Sequence, residues 1–157
     1  MLKIFTIIFY LIFFNLHAEI IQKVVVTGND RISDETIKVY GEITLGKDYS
    51  LAEVNSILKN LYETNFFDNV QVSLNNGTLN ISVKEYAVIN FIELEGEKST
   101  RIKESILEKL NLKSKQSFIE NSLAKDISLI KKIYSTIGFN FVDVETEIER
   151  FDDNRIN

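Results

Sequence analysis

Apolar residues change their spacing along the chain, and each change predicts an element. Ile20 to Thr27 is rich in β-branched residues and stops at Gly28-Asn29, which predicts a strand and then a turn. Ser33 can cap a helix, and Asp34 and Glu35 then sit at its positive end. Gly41 and Gly46 bracket the exit of that helix. Ser50-Leu51-Ala52-Glu53 reads as a capping box. The helix it opens places Leu51, Val54, Leu58 and Leu61 on one face at helical spacing. Beyond Thr64-Asn65, Val70, Val72 and Leu74 alternate with polar residues, the pattern of a half-buried strand. Asn75-Asn76-Gly77 supplies a hairpin turn, because Asn and Gly tolerate positive φ. Leu79, Ile81 and Val83 mark the return strand. The order is strand, helix, helix, strand, strand.

The same order then begins again. Ile21, Val24, Val26 and Gly28 recur as Ile89, Ile92, Leu94 and Gly96 at an offset of 68. Leu58, Leu61, Tyr62, Thr64, Phe67, Val70 and Val72 recur as Ile130, Ile133, Tyr134, Thr136, Phe139, Val142 and Val144 at an offset of 72. Two copies of one unit follow, each of about 70 residues, a size that just supports a core. In the second copy Val88 to Glu95 is predicted as a strand and Thr100 to Leu110 as a helix. Ser117-Phe118-Ile119-Glu120 repeats the capping box. Leu123, Ile127, Ile130, Tyr134 and Ile137 form an amphipathic face that Gly138 ends. Phe141 to Ile148 alternates as a strand, and Phe151 to Asn154 turns. The sequence stops at Asn157, so the second unit is expected to lack most of its last strand and the chain to be a fragment.

The first eighteen residues stand apart from this pattern. Lys3 precedes an apolar run from Ile4 to Leu16, and Leu16-His17-Ala18 puts a small residue before Glu19. That is the order of a cleaved secretory signal peptide, and the run is shorter than the ~20 residues a spanning helix needs. Residues 1–18 are therefore expected to be removed, leaving units at 19–86 and 87–157. The mature chain then works outside the cytoplasm.

Composition narrows the chemistry. The chain has no Cys, no Pro, no Trp and one His, which lies in the leader. The mature protein thus lacks thiols, the commonest general base and the usual ligands of zinc, copper and haem. No catalytic residue, metal ligand or cofactor is expected. A net charge of -5 with only four Arg disfavours nucleic acid as a partner, since phosphate attraction dominates that affinity. Binding or scaffolding becomes the expected role.

The repeated unit resembles a known family. Ile21-x-x-Val24-x-Val26-x-Gly28-Asn29-x-Arg31-Ile32, Leu61-Tyr62-x-Thr64-x-x-Phe67-Asp68-x-Val70 and Leu79-x-Ile81-x-Val83-x-Glu85 carry the likeness in the first copy. Gly96, Tyr134, Gly138-Phe139 and Asp153-x-Arg155-Ile156 carry it in the second. Together, behind a signal peptide, they are similar to POTRA domains, and more closely to the periplasmic part of BamA-type outer-membrane protein assembly factors. Ala87, where the family usually has Pro, and Glu97, where the second module often has Asn, depart from the pattern. The resemblance implies an α+β fold of tandem βααββ modules. Each would be a three-stranded mixed sheet with two helices on one face and the return strand at its centre, the second truncated. It implies a receptor for unfolded outer-membrane protein precursors, with assembly-complex lipoproteins and a C-terminal β-barrel as further partners. Related secretion or translocation-assembly proteins, and cell-division proteins of FtsQ type, share the module.

A sheet of this kind leaves edges where an extended client can add itself through main-chain hydrogen bonds. The expected edges are the strands that open each hairpin: Val70, Gln71, Val72, Ser73 and Leu74, and Val142, Asp143, Val144, Glu145 and Thr146. Phe66 has no aromatic counterpart in the second copy and is the expected exposed contact, whereas Tyr62 and Phe67 are expected to plug the core. The acids from Asp143 to Asp153 read as the solvent face of a strand. A secreted carboxylate-dependent hydrolase is the rival class; it requires acids from both units to meet in a closed apolar cleft.

Overall fold

The computed structural model describes residues 19–157; the signal-peptide expectation for 1–18 lies outside them. The first half contains β1 (Glu19–Ile20), β2 (Lys23–Thr27), α1 (Asp34–Tyr40), β3 (Asp48–Tyr49), α2 (Leu51–Glu63), β4 (Phe67–Asn75) and β5 (Thr78–Glu85). Its main sheet is mixed, ordered β2-β5-β4, with β5 parallel to β2 and antiparallel to β4. The return strand is thus central. Leu79, Ile81 and Val83 of β5 are buried, because that strand is covered by helices and flanked on both sides. A two-residue loop, Asn76 and Gly77 at φ 50° and 72°, closes the hairpin as expected.

Local signals explain both helices. The Ser33 hydroxyl accepts from Thr36 N–H, and Asp34 and Glu35 oppose the helix dipole in the first turn of α1. At α2 both halves of the Ser50–Glu53 capping box are formed. The buried stripe of α2 is Val54, Ile57 and Leu61; Leu51, expected on it, is 75% exposed. Its place in the first turn puts it beyond the sheet that the later turns cover. Gly28 has φ +81°, and a Cβ there would lie 2.1 Å from the Val83 carbonyl oxygen, so only glycine fits. One cluster of eleven buried residues, from Ile21 to Val83, holds this half together.

The second half contains β6 (Val88–Ile89), α3 (Thr100–Lys109), α4 (Glu120–Thr136) and β7 (Arg155–Ile156). β6 and β7 pair in parallel, as β2 and β5 do. The chain from β2 to β5 is therefore echoed, with two differences. The strand expected over Val88 to Glu95 is paired only at Val88–Ile89, and the strand expected over Phe141 to Ile148 joins no ladder. A ladder needs a neighbour, and β7 supplies two residues where β5 supplies eight. The core is correspondingly divided into two clusters of three buried residues. The Ser117–Glu120 capping box also fails to form. Ser117 is held extended by a bridge to Val88, and the cap position of α4 is Ile119, which offers no side-chain hydrogen bond.

Candidate functional site

β4 is an edge strand. Asn75 and Thr78 flank the two-residue loop and form its hydrogen-bonded pair, so Ser73 and Gln71 also bond to β5. Val70, Val72 and Leu74 therefore turn their N–H and C=O groups to the free side, while their side chains pack on the core. No charged residue and no proline lies between Asn69 and Asn75. Such an edge is a template for another strand.

Part of it is already occupied. The Val70 N–H donates to the Tyr62 hydroxyl oxygen at 3.0 Å, and that hydroxyl donates toward Asn69 Oδ1 at 3.2 Å. Tyr62 is 41% exposed, so it does not plug the core as expected; it leans from α2 across the edge of β4. The available main-chain groups narrow to Val72 and Leu74. Phe67 is buried, as expected. Phe66 is half-buried rather than exposed, its ring edge-on to Tyr40 at 5.6 Å and to Phe67 at 6.3 Å. A neighbour on α1, invisible to the repeat comparison, takes the space that Phe66 would have offered a partner.

The second expected edge has another form. Val142, Asp143, Val144, Glu145 and Thr146 have no strand neighbour. With Phe91 to Glu97 they wall an open cleft of about 1270 Å³, floored by Ile102, Ile130 and Tyr134. Phe139, the counterpart of buried Phe67, is 61% exposed, because no sheet covers it. Tyr134 donates to Glu97, which pins α4 to the wall of the cleft. Burial, and then that carboxylate, push the Tyr134 hydroxyl up to about 12, and the same bond holds Glu97 below its ordinary value. The acids of this cleft all belong to the second half and line an open cleft, unlike the two-sided closed pocket a hydrolase would need.

Two buried carboxylates were not anticipated as organisers. Glu85 Oε1 accepts from the N–H groups of Asp30, Arg31 and Ile32 at 3.0, 3.0 and 2.9 Å. Its Oε2 pairs with Arg31 Nε at 2.9 Å. This ties the loop after β2 to the end of β5, and Asn154 then donates to the Glu85 and Tyr86 carbonyls from the second half. The sequence did hold a clue: Glu85 continues the inward series Leu79, Ile81, Val83 and so places a charge in a core register. Asp126 is similar. It lies among the apolar residues of α4 and accepts from Asn111 N–H at 2.7 Å and Leu112 N–H at 2.9 Å, fixing the exit of α3. Among the described residues no group of three or more His, Asp or Glu is placed to hold a metal ion.

The POTRA family model, described as surface antigen variable number repeat, matches residues 19–86 and 87–157. The chain is similar to the outer membrane protein assembly factor BamA of Neisseria meningitidis serogroup B: 28% identical over 140 residues, 87% of the chain and 17% of that protein. BamA of Neorickettsia risticii is 20% identical over 141 residues, 89% of the chain and 19% of that protein. The chain thus spans less than a fifth of either relative. Among solved structures, the N-terminal domain of Omp85 from Thermosynechococcus elongatus aligns with a TM-score of 0.54 at 17% identity. That alignment covers 87% of the chain and 60% of that structure, and it agrees with the α+β fold described above. With its βααββ order, its central return strand and a family match in both halves, the chain belongs to the POTRA family.

Proposed function

We infer that the chain is the periplasmic scaffold and receptor part of an outer-membrane β-barrel protein assembly factor. It holds two POTRA modules, residues 19–86 and 87–157, behind a cleaved signal peptide at 1–18. It performs no catalysis. It takes unfolded outer-membrane protein precursors as clients and works beside assembly-complex lipoproteins and a membrane-embedded β-barrel. The observation that carries this reading is the uncharged edge of β4, with main-chain groups free at Val72 and Leu74. Main-chain pairing suits a receptor for many clients, since every polypeptide offers the same donors and acceptors. The likeness to two BamA proteins supplies the biological setting.

The test is Val72→Pro. Proline at an edge position whose N–H points outward spares the β4–β5 ladder but removes a donor to the client. Titration of an unfolded β-barrel precursor segment into the labelled chain should slow amide exchange at Val72 and Leu74. The substitution should weaken binding at least tenfold while the β5 amides stay protected. Equal affinity for the variant would refute strand addition at β4.

A further inference from the structure

The repeat offset of 72 lays α4 and the segment after it onto α2 and β4, so one surface can be compared in both halves. In the first half it carries Glu53, Lys59, Glu63 and Asp68, a net charge of -2. In the second, Lys125, Lys131 and Lys132 take the places of Glu53, Lys59 and Asn60, while Ser135 and Asn140 replace Glu63 and Asp68. The net charge there is +3. Pairing differs as well. Arg31, Lys38, Lys47, Lys59 and Lys84 of the first half each meet a carboxylate. Among the described residues Lys125 and Lys132 meet none, and Lys131 only reaches Asp143 at 4.0 Å. Two apolar side chains join these lysines. Ile137 and Phe141 stand where the first half has Asn65 and Asn69, and both asparagines are exposed beside a full three-stranded sheet. Exposure at the two positions therefore belongs to the module and owes nothing to the open cleft. Ile137 is half-exposed and Phe141 wholly exposed. The Ser135 hydroxyl donates to Asn140 Oδ1 at 3.1 Å, which folds the segment back on α4. Ser135 shares a helix face with Lys132 and Lys131, three and four residues earlier, so Phe141 emerges beside the lysines.

We propose that this patch, Lys125, Lys131, Lys132, Ile137 and Phe141, docks the second half on an anionic phospholipid bilayer. The lysines lie against lipid phosphates, and the two apolar side chains enter the boundary between headgroups and acyl chains. The shape favours a bilayer over an acidic polypeptide. Phe141 and the three lysines line no part of the cleft, and Phe141 stands clear of the surface, where a peptide needs a groove or a free strand edge. Lysine is a compact charge on a flexible apolar stem, which suits a fluid array of phosphates better than a single fixed carboxylate. Each lysine held near such a surface strengthens attachment about fivefold, and the attraction fades over about 8–10 Å in physiological salt. A patch of this size attaches reversibly. It makes no use of β4 and stands whether or not β4 takes clients.

The test uses the chain from Glu19 onward, which removes the apolar leader as a second membrane contact. The chain has no tryptophan, so Phe141→Trp supplies a single fluorescent reporter. Vesicles of mixed phosphatidylglycerol and phosphatidylcholine should shift its emission to the blue, and vesicles of phosphatidylcholine alone should leave it unchanged. In sedimentation with the anionic vesicles, Lys131→Gln combined with Lys132→Gln should weaken binding about twenty-fivefold. Phe141→Ser should weaken it at least fivefold, and Lys59→Gln, on the matching surface of the first half, should leave it unaltered. Amide exchange of α4 should be the same in all of these variants, since every substituted side chain is exposed. Equal binding to both kinds of vesicle, an unshifted emission, or full binding by the double lysine variant would overturn the proposal. So would a glutamate-rich peptide that engages the same lysines while anionic vesicles do not, which would assign the patch to an acidic polypeptide.

Discussion

Replacing Glu85 with alanine is expected to destabilise the first half by about 3 kcal/mol. One carboxylate oxygen accepts three main-chain N–H groups, and the other oxygen pairs with Arg31. Bonds to a charged acceptor are worth about 1.5–3 kcal/mol each by mutation, but three sharing one oxygen do not add. Removing one partner of a buried ion pair costs about 3–5 kcal/mol. Arg31 has a third of its side chain in water and can rehydrate, which selects the lower end of that range. Glu85→Gln keeps the acceptor for the loop but turns an amide donor toward Arg31, and should cost about 1–2 kcal/mol. Arg31→Met keeps the three N–H bonds but strands the buried second oxygen of Glu85, and should cost about 2–3 kcal/mol. Amide exchange of Leu79 and Ile81 at low urea reads the stability of this half directly, and the Asp30 to Ile32 amides should lose protection first. A loss below about 1 kcal/mol for Glu85→Ala would refute the bookkeeping. A Gln variant as damaged as the Ala variant would show that the ion pair, rather than the N–H cradle, holds the loop.

Three further outcomes follow from the same coordinates. Tyr62→Phe frees the Val70 N–H at the edge of β4; it should cost about 0.5–1.5 kcal/mol of stability yet tighten client binding about fivefold, as read by titration of a precursor segment. Glu53 is held down at about 2 by the Ser50 N–H and then by Lys47 and the Ser50 hydroxyl. Its contribution is therefore complete above the ordinary carboxylate value, near 4.5, and fades as pH falls toward 2. Urea midpoints of the native chain and of Glu53→Gln should differ at pH 6 and converge near pH 2, and a constant difference would refute the assignment. Residues 88–157, with two small clusters in place of one core of eleven, should unfold at lower denaturant than residues 19–86; equal exchange protection in both halves would contradict this.

The repeat, the helices and the Asn76-Gly77 hairpin were legible in the sequence. Each rests on interactions within a few residues or on a periodicity that marks which face is apolar. The same periodicity describes Val70 to Leu74 and Val142 to Ile148 equally well, yet only the first is a strand. Alternation says which side of a segment faces inward; it carries no information about whether a neighbour stands alongside, and strand hydrogen bonds come from that neighbour. The reach of Tyr62 across the edge, the shelter that Tyr40 gives Phe66 and the grip of Glu85 on the loop at 30–32 have the same character. In each, residues far apart along the chain meet only because helices and sheet have already packed. Sequence thus determined the elements and their faces, while tertiary structure decided which backbone groups remained free to bind.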